Sequence, residues 1–227
     1  MRKLTCLIGL ALVAVSLQTY AQVHQNLSID IFAIPSSNIE KLVAQTSNTL
    51  KQHGMTTFYD KGMPVHTTLY LSEFSKNEID KIKQIIHQIS LRNRSIPLIA
   101  NGLTVTKGNW VFINLTWSKA LQRLADKVTL AVEPYRFPTP NLPDWVKKYP
   151  NKLAAFKRYG SPNVFQNFQP HLTLLAAERN PNLQLVKQQM LSKPPYAKGR
   201  IIGLGIGIAD QWGQQKKILT EYMFTKH

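Results

Sequence analysis

Two short motifs of the same pattern, His-x-Thr-Leu, occur in the sequence, and each places a threonine two residues after a histidine. They are His66-Thr67-Thr68-Leu69 and His171-Leu172-Thr173-Leu174, in a chain of 227 residues with only six histidines. Side chains two positions apart on a β-strand point to the same side of the sheet. Each motif therefore predicts an imidazole and a hydroxyl side by side on one face of a strand.

Two histidines that face one another suit the cleavage of a phosphodiester bond. The reaction needs one proton removed from the attacking oxygen and another delivered to the leaving oxygen, and imidazole does either near neutral pH. The hydroxyls of Thr68 and Thr173 would donate hydrogen bonds to the non-bridging phosphoryl oxygens, where negative charge develops. The sequence does not decide which histidine is the acid and which is the base.

Two other interpretations of the motifs stay open. Both histidines could make only local hydrogen bonds. A metal site on His66 and His171 is the second interpretation, but neither motif supplies a neighbouring carboxylate, and zinc or iron centres usually need three or four protein ligands.

Hydrophobic spacing predicts the elements that hold the motifs. Strands are expected at 27–34 and 65–71, each followed by a helix that begins with a capping box, Ser37 with Glu40 and Ser75 with Glu78. The residues expected to point inward are Ile39, Leu42, Val43 and Leu50 in the first helix, Ile79, Ile82, Ile86 and Ile89 in the second, and Leu121, Leu124, Ala125, Val128 and Val132 in a third. By strand alternation, Tyr70 shares a face with His66 and Thr68 and becomes a candidate substrate contact.

The element order indicates an internal duplication. Strand, helix, strand, helix and hairpin in the first half are followed by strand, helix and hairpin in the second. The turn glycine Gly108 lies 42 residues after His66, and Gly213 lies 42 residues after His171. Either half offers one histidine and one hydroxyl, so only the pair encloses a phosphate.

A segment rich in proline, about 133–170, separates the two halves. It is rich in aromatic and basic residues, and only 152–159 favours a short helix. Such a mixture could stack a base and hold its phosphate, although a solvent-exposed loop would have the same composition. We expect Arg158, Tyr159 and Phe168 to border the cleft.

Residues 1–21 have the features of a secretory signal peptide. Arg2 and Lys3 precede an apolar run from Leu7 to Leu17, and small residues stand before Gln22 at the cleavage positions. The run is about half the ~20 residues of a membrane-spanning helix, and no second apolar stretch of that length follows. We therefore expect a periplasmic or secreted protein without stable membrane insertion once the leader is removed.

The chain is basic, and its single cysteine, Cys6, lies in the predicted leader. The sequence has 28 lysines and arginines against 12 acidic residues, a formal net charge of +16. This charge favours anionic partners such as nucleotides or nucleic acid, although many exported proteins are basic without binding a polyanion. Removal of the leader leaves no thiol for disulfides, metal binding or nucleophilic catalysis.

The paired motifs, about a hundred residues apart, resemble those of the two-histidine phosphoesterase superfamily, which includes 2′-5′ RNA ligase-like proteins and 2′,3′-cyclic phosphodiesterases. The resemblance implies an α+β fold with two pseudo-symmetric lobes of antiparallel sheet flanked by helices, and a central cleft. It implies that His66 and His171 are catalytic and that Thr68 and Thr173 bind phosphate, with no metal or cofactor.

From this resemblance we predict one bilobal domain at 22–227, a monomer that hydrolyses cyclic phosphodiesters. The expected substrate is the 2′,3′-cyclic phosphate of a nucleotide or an RNA end. Two alternatives are a non-catalytic module that binds nucleotides or RNA on the same fold, and 2′-5′ joining of RNA ends. The leader and the apparent insertion at 133–170 depart from the family pattern and leave the substrate open.

Overall fold

The computed structural model describes residues 26–225, which form one antiparallel sheet flanked by helices. The strands in this range are β1 (Asn26–Pro35), β2 (Thr67–Ser75), β3 (Ile96–Val105), β4 (Val111–Leu115), β5 (His171–Leu175), β6 (Tyr196–Ala209) and β7 (Gln215–Met223). The α-helices are α1 (Ser37–Gln52), α2 (Ile79–Leu91), α3 (Lys119–Val132), α4 (Pro150–Tyr159) and α5 (Leu183–Ser192). The predicted leader at 1–21 lies outside the described residues. Between residues 26 and 225, no helix has the length and apolar character needed to cross a membrane.

The first three helices form where hydrophobic spacing predicts them. Every residue expected to point inward is buried, from Ile39 in α1 to Val132 in α3. The predicted capping boxes are wrong. Ser37 is the first residue of α1 rather than its cap, the preceding Ser36 makes no side-chain capping hydrogen bond, and neither does Ser75 before the helical turn that leads into α2. Ser36 Oγ instead accepts a hydrogen bond from the main-chain N–H of Arg200 at 3.0 Å, which ties the start of α1 to β6.

The sheet has the order β2-β1-β6-β3-β4-β5, and β7 also pairs with β6. The long strand β6 joins its two halves, because residues 196–201 pair with β3 while residues 201–208 pair with β1. The predicted α+β fold of antiparallel sheet and flanking helices is confirmed. The two lobes are thus halves of one continuous sheet, and the motif strands β2 and β5 lie at its opposite ends in the pairing order.

The hairpins of the two halves are exchanged. The hairpin β3–β4, which follows the first motif in sequence, pairs with β5 of the second motif. The hairpin β6–β7, which follows the second motif, pairs with β1 beside the first motif strand. Each half of the sheet is therefore completed by chain from the other half of the sequence, which holds the two motifs in one structure.

The Pro-rich segment covers the free edge of β2. Phe137 N donates a hydrogen bond to the carbonyl of Glu73 at 2.7 Å, and the Ser72 hydroxyl donates to the carbonyl of Gly160 at 2.9 Å. An uncovered edge strand exposes unpaired main-chain groups that favour aggregation. The segment at 133–170 thus has a structural role along β2, in which α4 is its main helix.

Candidate active site

The two motif strands meet at the start of each strand. Thr67 Oγ1 in β2 donates a hydrogen bond to the main-chain oxygen of His171 at 3.4 Å, and Thr67 is only 1% exposed. His66 directly precedes β2, whereas His171 is the first residue of β5. The exchange of hairpins therefore brings together two motifs that lie 105 positions apart in the chain.

The fourth residue of each motif forms a β-bulge. Thr68 pairs with Phe32 of β1 and Tyr70 pairs with Ile31, so Leu69 has no partner. In the other half, Thr173 pairs with Phe112 of β4 and Leu175 pairs with Val111, so Leu174 has none. Both leucines are buried. A bulge bends its strand and redirects side chains. The two bulges occur at equivalent positions in the two halves of the sheet.

An aromatic ring packs beside each motif histidine. The Phe32 ring lies edge-on to His66 with centroids 5.5 Å apart, and the Phe112 ring lies 4.3 Å from that of His171. Phe32 itself packs on Gly205 of β6, where a Cβ atom would collide with the ring. The absence of a side chain at Gly205 therefore leaves room on β6 for the ring that packs beside His66.

Both motif histidines have the same tautomer. The Nδ1 of His66 lies 3.0 Å from the carbonyl of Pro64, and the Nδ1 of His171 lies 2.8 Å from the carbonyl of Gln169. Each Nδ1 therefore carries hydrogen and donates to the carbonyl two residues earlier, which leaves Nε2 to exchange protons. This is the orientation that general acid–base catalysis requires of an imidazole.

One cleft joins the two motifs. His66 of the first and Thr173 of the second both line a small, shallow cleft, together with Gln214 from the end of the β6–β7 turn. Within residues 26–225, no side-chain hydrogen bond engages the Thr173 hydroxyl, and the residue is partly exposed. Thr173 is therefore placed to donate to an anion in this cleft.

The family of the chain is found by comparison with known protein families. The family described as "Protein of unknown function (DUF1045)" matches residues 74–208, a range that contains the second motif and strands β3 to β5. The chain belongs to this family. None of the curated proteins matches the chain.

Solved structures similar to this member of the DUF1045 family include the protein TT0787 of Thermus thermophilus. It is 13% identical, with a TM-score of 0.56 over 87% of this chain and 98% of that one. LigT of E. coli complexed with 3′-AMP is also 13% identical, with a TM-score of 0.55 over 89% of this chain and all of LigT. A structure described only as a phosphoesterase has a TM-score of 0.55 at the same identity and covers 89% of this chain and 100% of that one. The predicted likeness to the two-histidine phosphoesterases is thereby confirmed for the fold.

A buried carboxylic acid, which was not predicted from the sequence, adjoins the first motif. Asp30 of β1 is 0% exposed, and its Oδ2 accepts hydrogen bonds from Thr68 Oγ1 at 2.9 Å and from Gln215 Nε2 at 2.6 Å. The same oxygen lies 3.5 Å from Nε2 of His66. The available signal was a single charge between isoleucines in a strand that otherwise lacks charge.

The environments of the two histidines differ in their charges. Burial lowers the pKa of both. For His66, a main-chain hydrogen bond with Pro64 raises the pKa, as do a weaker one with Gly213 and the charge of Asp210, while His171 lowers it. For His171, the hydrogen bond with Gln169 raises the pKa and the positive charge of Lys152 lowers it. His66 thus has acidic neighbours, and His171 has a cationic one.

Lys152 is a second residue near the motifs that was not predicted from the sequence. It lies in the first turn of α4 and donates a hydrogen bond to Asn163, and burial lowers its pKa. Its ammonium group lies 5.7 Å from the centroid of the Trp145 ring. Its positive charge lowers the pKa of His171.

Aromatic rings extend outward from His171. Beyond Phe112 the Trp110 ring lies at a centroid distance of 6.0 Å, and the Trp212 ring of the β6–β7 turn lies 5.8 Å further on. Trp212 is 37% exposed. This aromatic row of Phe112, Trp110 and Trp212 leads from the second motif to the surface, and sequence reasoning could not find it because its members come from different hairpins.

The predicted substrate contacts Tyr70 and Phe168 are wrong. Tyr70 is 1% exposed, and its hydroxyl donates to the carbonyl of Tyr159 at 2.6 Å. The bulge at Leu69 breaks the alternation that would have kept Tyr70 on the face of Thr68. Phe168 is 6% exposed and packs in the hydrophobic core.

Arg158 and Tyr159 lie beside the middle of β2 rather than at its start. Arg158 stacks over the Tyr159 ring at 5.1 Å and lies 4.0 Å from Glu133, and the Tyr159 ring packs on Phe165. Within residues 26–225, no hydrogen bond or ring contact joins either residue to the motif histidines. Neither residue is among those that line the cleft of His66 and Thr173.

Metal ligands are not clustered in the part of the chain that the structure describes. Across residues 26–225, no three His, Cys, Asp or Glu side chains come together as a group that could hold a metal ion. The side chains at or near the two motifs are thus a pair of histidines, two threonines, one buried carboxyl and one lysine.

Proposed function

We propose that the protein is a phosphodiesterase that hydrolyses cyclic phosphodiesters, with His66 and His171 as the two groups that transfer protons. The observation that carries the proposal is the matched pair of imidazoles. Each has its Nδ1 fixed by the carbonyl two residues earlier, and the two motifs meet through the bond from Thr67 to His171. Hydrolysis needs one imidazole for the attacking water and another for the leaving oxygen.

The threonine hydroxyls support the transition state. Thr173 lines the cleft and is free to donate to a non-bridging oxygen, whose negative charge grows as water attacks. Thr68 donates to Asp30 while that carboxyl is an acceptor. The two threonines therefore have unequal parts, with Thr173 as the main phosphate ligand.

A nucleotide with a 2′,3′-cyclic phosphate, or an RNA end that carries one, is the substrate that we infer. The structurally similar LigT has been crystallised with 3′-AMP, which supports a nucleotide ligand. The aromatic row beside His171 offers rings on which a base could stack, an interaction worth about 1–3 kcal/mol per base. Lys152 supplies a cation for the phosphate on the same side.

The reaction is proposed to proceed without a metal ion. Acid–base transfer by two imidazoles supplies the protons directly, and the cation of Lys152 offsets the phosphate charge. Turnover that persists in excess EDTA supports this. Complete loss in EDTA with recovery on addition of zinc would favour metal-assisted hydrolysis instead.

The test is turnover of 2′,3′-cyclic nucleotides by the purified chain from Gln22, with His66→Ala and His171→Ala as variants. His87→Ala is the matched control, since His87 is exposed on α2 and stacks on Tyr222. We expect each motif variant to lose roughly 10²–10⁴ in rate and the control to retain full activity. Tight nucleotide binding without any product would instead indicate a binding module, and joined RNA products without hydrolysis would indicate ligation.

Export and a monomeric state complete the proposal. Residues 1–21 are proposed to be removed during export, which predicts that the protein from cells begins at Gln22 and lies outside the cytoplasm. N-terminal sequencing of the fractionated protein and light scattering check these two points. An intact Met1 in the cytoplasmic fraction would contradict export.

A further inference from the structure

The two halves of the site differ at one equivalent position. Asp30 lies two residues before Phe32 in β1, and Trp110, which directly precedes β4, lies two residues before Phe112. Both phenylalanines pair with the motif threonine of the neighbouring strand, so Asp30 and Trp110 correspond. Among the described residues, a carboxyl therefore adjoins only the first of the two motif histidines.

The contacts of Asp30 converge on one of its oxygens. Oδ2 accepts from Thr68 and Gln215 and lies 3.5 Å from Nε2 of His66, while the buried Oδ1 has no hydrogen-bond partner within residues 26–225. A fully buried carboxylate with one bare oxygen is unfavourable, because an ionised group away from water needs its lone pairs satisfied. A proton on the carboxyl removes its charge and with it the larger part of that cost, and Nε2 of His66, 3.5 Å from Oδ2, is placed to exchange that proton.

We propose that Asp30 shares one proton with Nε2 of His66 and thereby makes His66 the general acid of the site, which leaves His171 as the general base. The assignment rests on the proposed function, because it states which of the two proton transfers of that reaction each histidine performs. Asp30 is a positioning residue in this scheme, because it acts on the substrate only through His66.

The charges around the pair agree with this division. Burial raises the pKa of Asp30 to about 8, against which the hydrogen bonds from Thr68 and Gln215 act, and burial lowers the pKa of His66. The other groups that act on His66 are the carboxylate of Asp210, which favours its protonated form, and His171, which opposes it. The pair as a whole therefore keeps one proton at neutral pH, while His171, beside the cation of Lys152, stays neutral and able to accept one.

The step balances with water as the only co-reactant. His171 Nε2 takes a proton from water as its oxygen bonds to phosphorus, and the bond from phosphorus to one ribose oxygen breaks. That oxygen takes the proton held by His66 and Asp30, which gives a phosphomonoester and a free hydroxyl. Exchange with solvent then moves a proton from His171 back to the pair and restores the starting state.

The experiment compares the pH–rate profiles of the wild type and Asp30→Asn on a 2′,3′-cyclic nucleotide. The variant keeps the shape of the side chain but cannot hold the shared proton. We expect its alkaline limb to move to lower pH, its acidic limb to stay in place, and its rate at pH 7 to fall roughly 10²-fold, the lower end of one general-acid contribution. Asp80→Asn, on the exposed surface of α2, is the control and keeps both limbs.

A second readout separates this inference from the proposed function. The titration of the His66 ring can be followed by ¹⁵N NMR without any turnover. In the wild type the ring should titrate with the pKa of the Asp30–His66 pair. In Asp30→Asn it should titrate at lower pH. An unmoved alkaline limb and an unchanged His66 titration would overturn the shared proton while leaving the phosphodiesterase intact. Absence of turnover in the wild type would overturn the proposed function, and with it the division of roles, whatever the NMR titration shows.

Discussion

Thr67 Oγ1 donates a hydrogen bond to the main-chain oxygen of His171, and this bond is a direct link between the two motif strands. It joins β2 and β5, the strands at the two ends of the sheet order. Thr67, the second residue of the first motif, thus helps to fix the position of His171, the first residue of the second motif. The position of His66 relative to His171 depends on this contact and on the exchanged hairpins.

Thr67→Val is expected to disturb the relative position of the two histidines. Valine has nearly the same shape, so the change removes the hydroxyl without opening a cavity, and the lost hydrogen bond should cost about 1 kcal/mol of unfolding free energy. We expect kcat to fall more than KM rises. Thr129→Val, another buried threonine in α3, is the matched control in urea unfolding and in kinetics. Equal kinetics for Thr67→Val and the wild type would exclude a role in alignment.

Lys152→Gln tests the cation beside the second motif. Its positive charge lowers the pKa of His171, so its removal should raise that pKa and shift the acidic limb of the pH–rate profile to higher pH. KM should rise as well, because a phosphate contact is lost. Lys157→Gln changes an exposed lysine on the same helix and serves as the comparison. If both variants shift the profile equally, the effect is one of net charge alone.

Trp212→Ala tests the aromatic row as a base-stacking surface. Loss of one stacked ring should cost about 1–3 kcal/mol in binding, which appears as a higher KM for a cyclic nucleotide. The variant and the wild type should differ little on a cyclic phosphodiester that has no base. Trp117→Ala removes another exposed tryptophan, one that bonds Gln122 near the start of α3, and should leave both KM values unchanged.

The raised pKa of Asp30 predicts that the free energy of unfolding falls as pH rises. Its pKa is raised from an ordinary 3.8 to about 8 in the folded chain, so between these values the folded state holds a proton that the unfolded state has released. The unfolding free energy therefore declines with increasing pH across that window. Asp30→Asn removes this decline, and its urea midpoint relative to the wild type should increase from pH 5 to pH 8. A difference that stays constant with pH would show that Asp30 is ionised throughout.

The helices and motif strands could be predicted because they depend on local spacing. The isoleucine stripe of α2 and the strand of the second motif are visible in the sequence, and the structure places both as expected. The strand predicted at 65–71 begins instead at Thr67, so His66 directly precedes it. The wrong position of Tyr70 has a specific cause, since a single unpaired residue at Leu69 changes which way the following side chains point. The alternation of side chains along a strand, read from the sequence, does not show where a bulge will interrupt it.

The composition of the site beyond the motifs could not be predicted, because it depends on pairing between distant strands. Gln215 reaches Asp30 across 185 positions of the chain, and Trp212 packs on Trp110 from the turn of a different hairpin. Asp30 itself could have been suspected, as a charge in an otherwise apolar strand needs a partner. Its partner, however, was defined only by the fold.

The most direct test of the central claim is a double-variant comparison of kcat/KM for a 2′,3′-cyclic nucleotide. Wild type, His66→Ala, His171→Ala and the double variant are measured under one set of conditions. Because the two imidazoles act in the same step, we predict that each single variant loses nearly as much activity as the double variant, as expected for residues that work as a unit. Losses that multiply, or a single variant that retains wild-type activity, would contradict a shared phosphoryl group between His66 and His171.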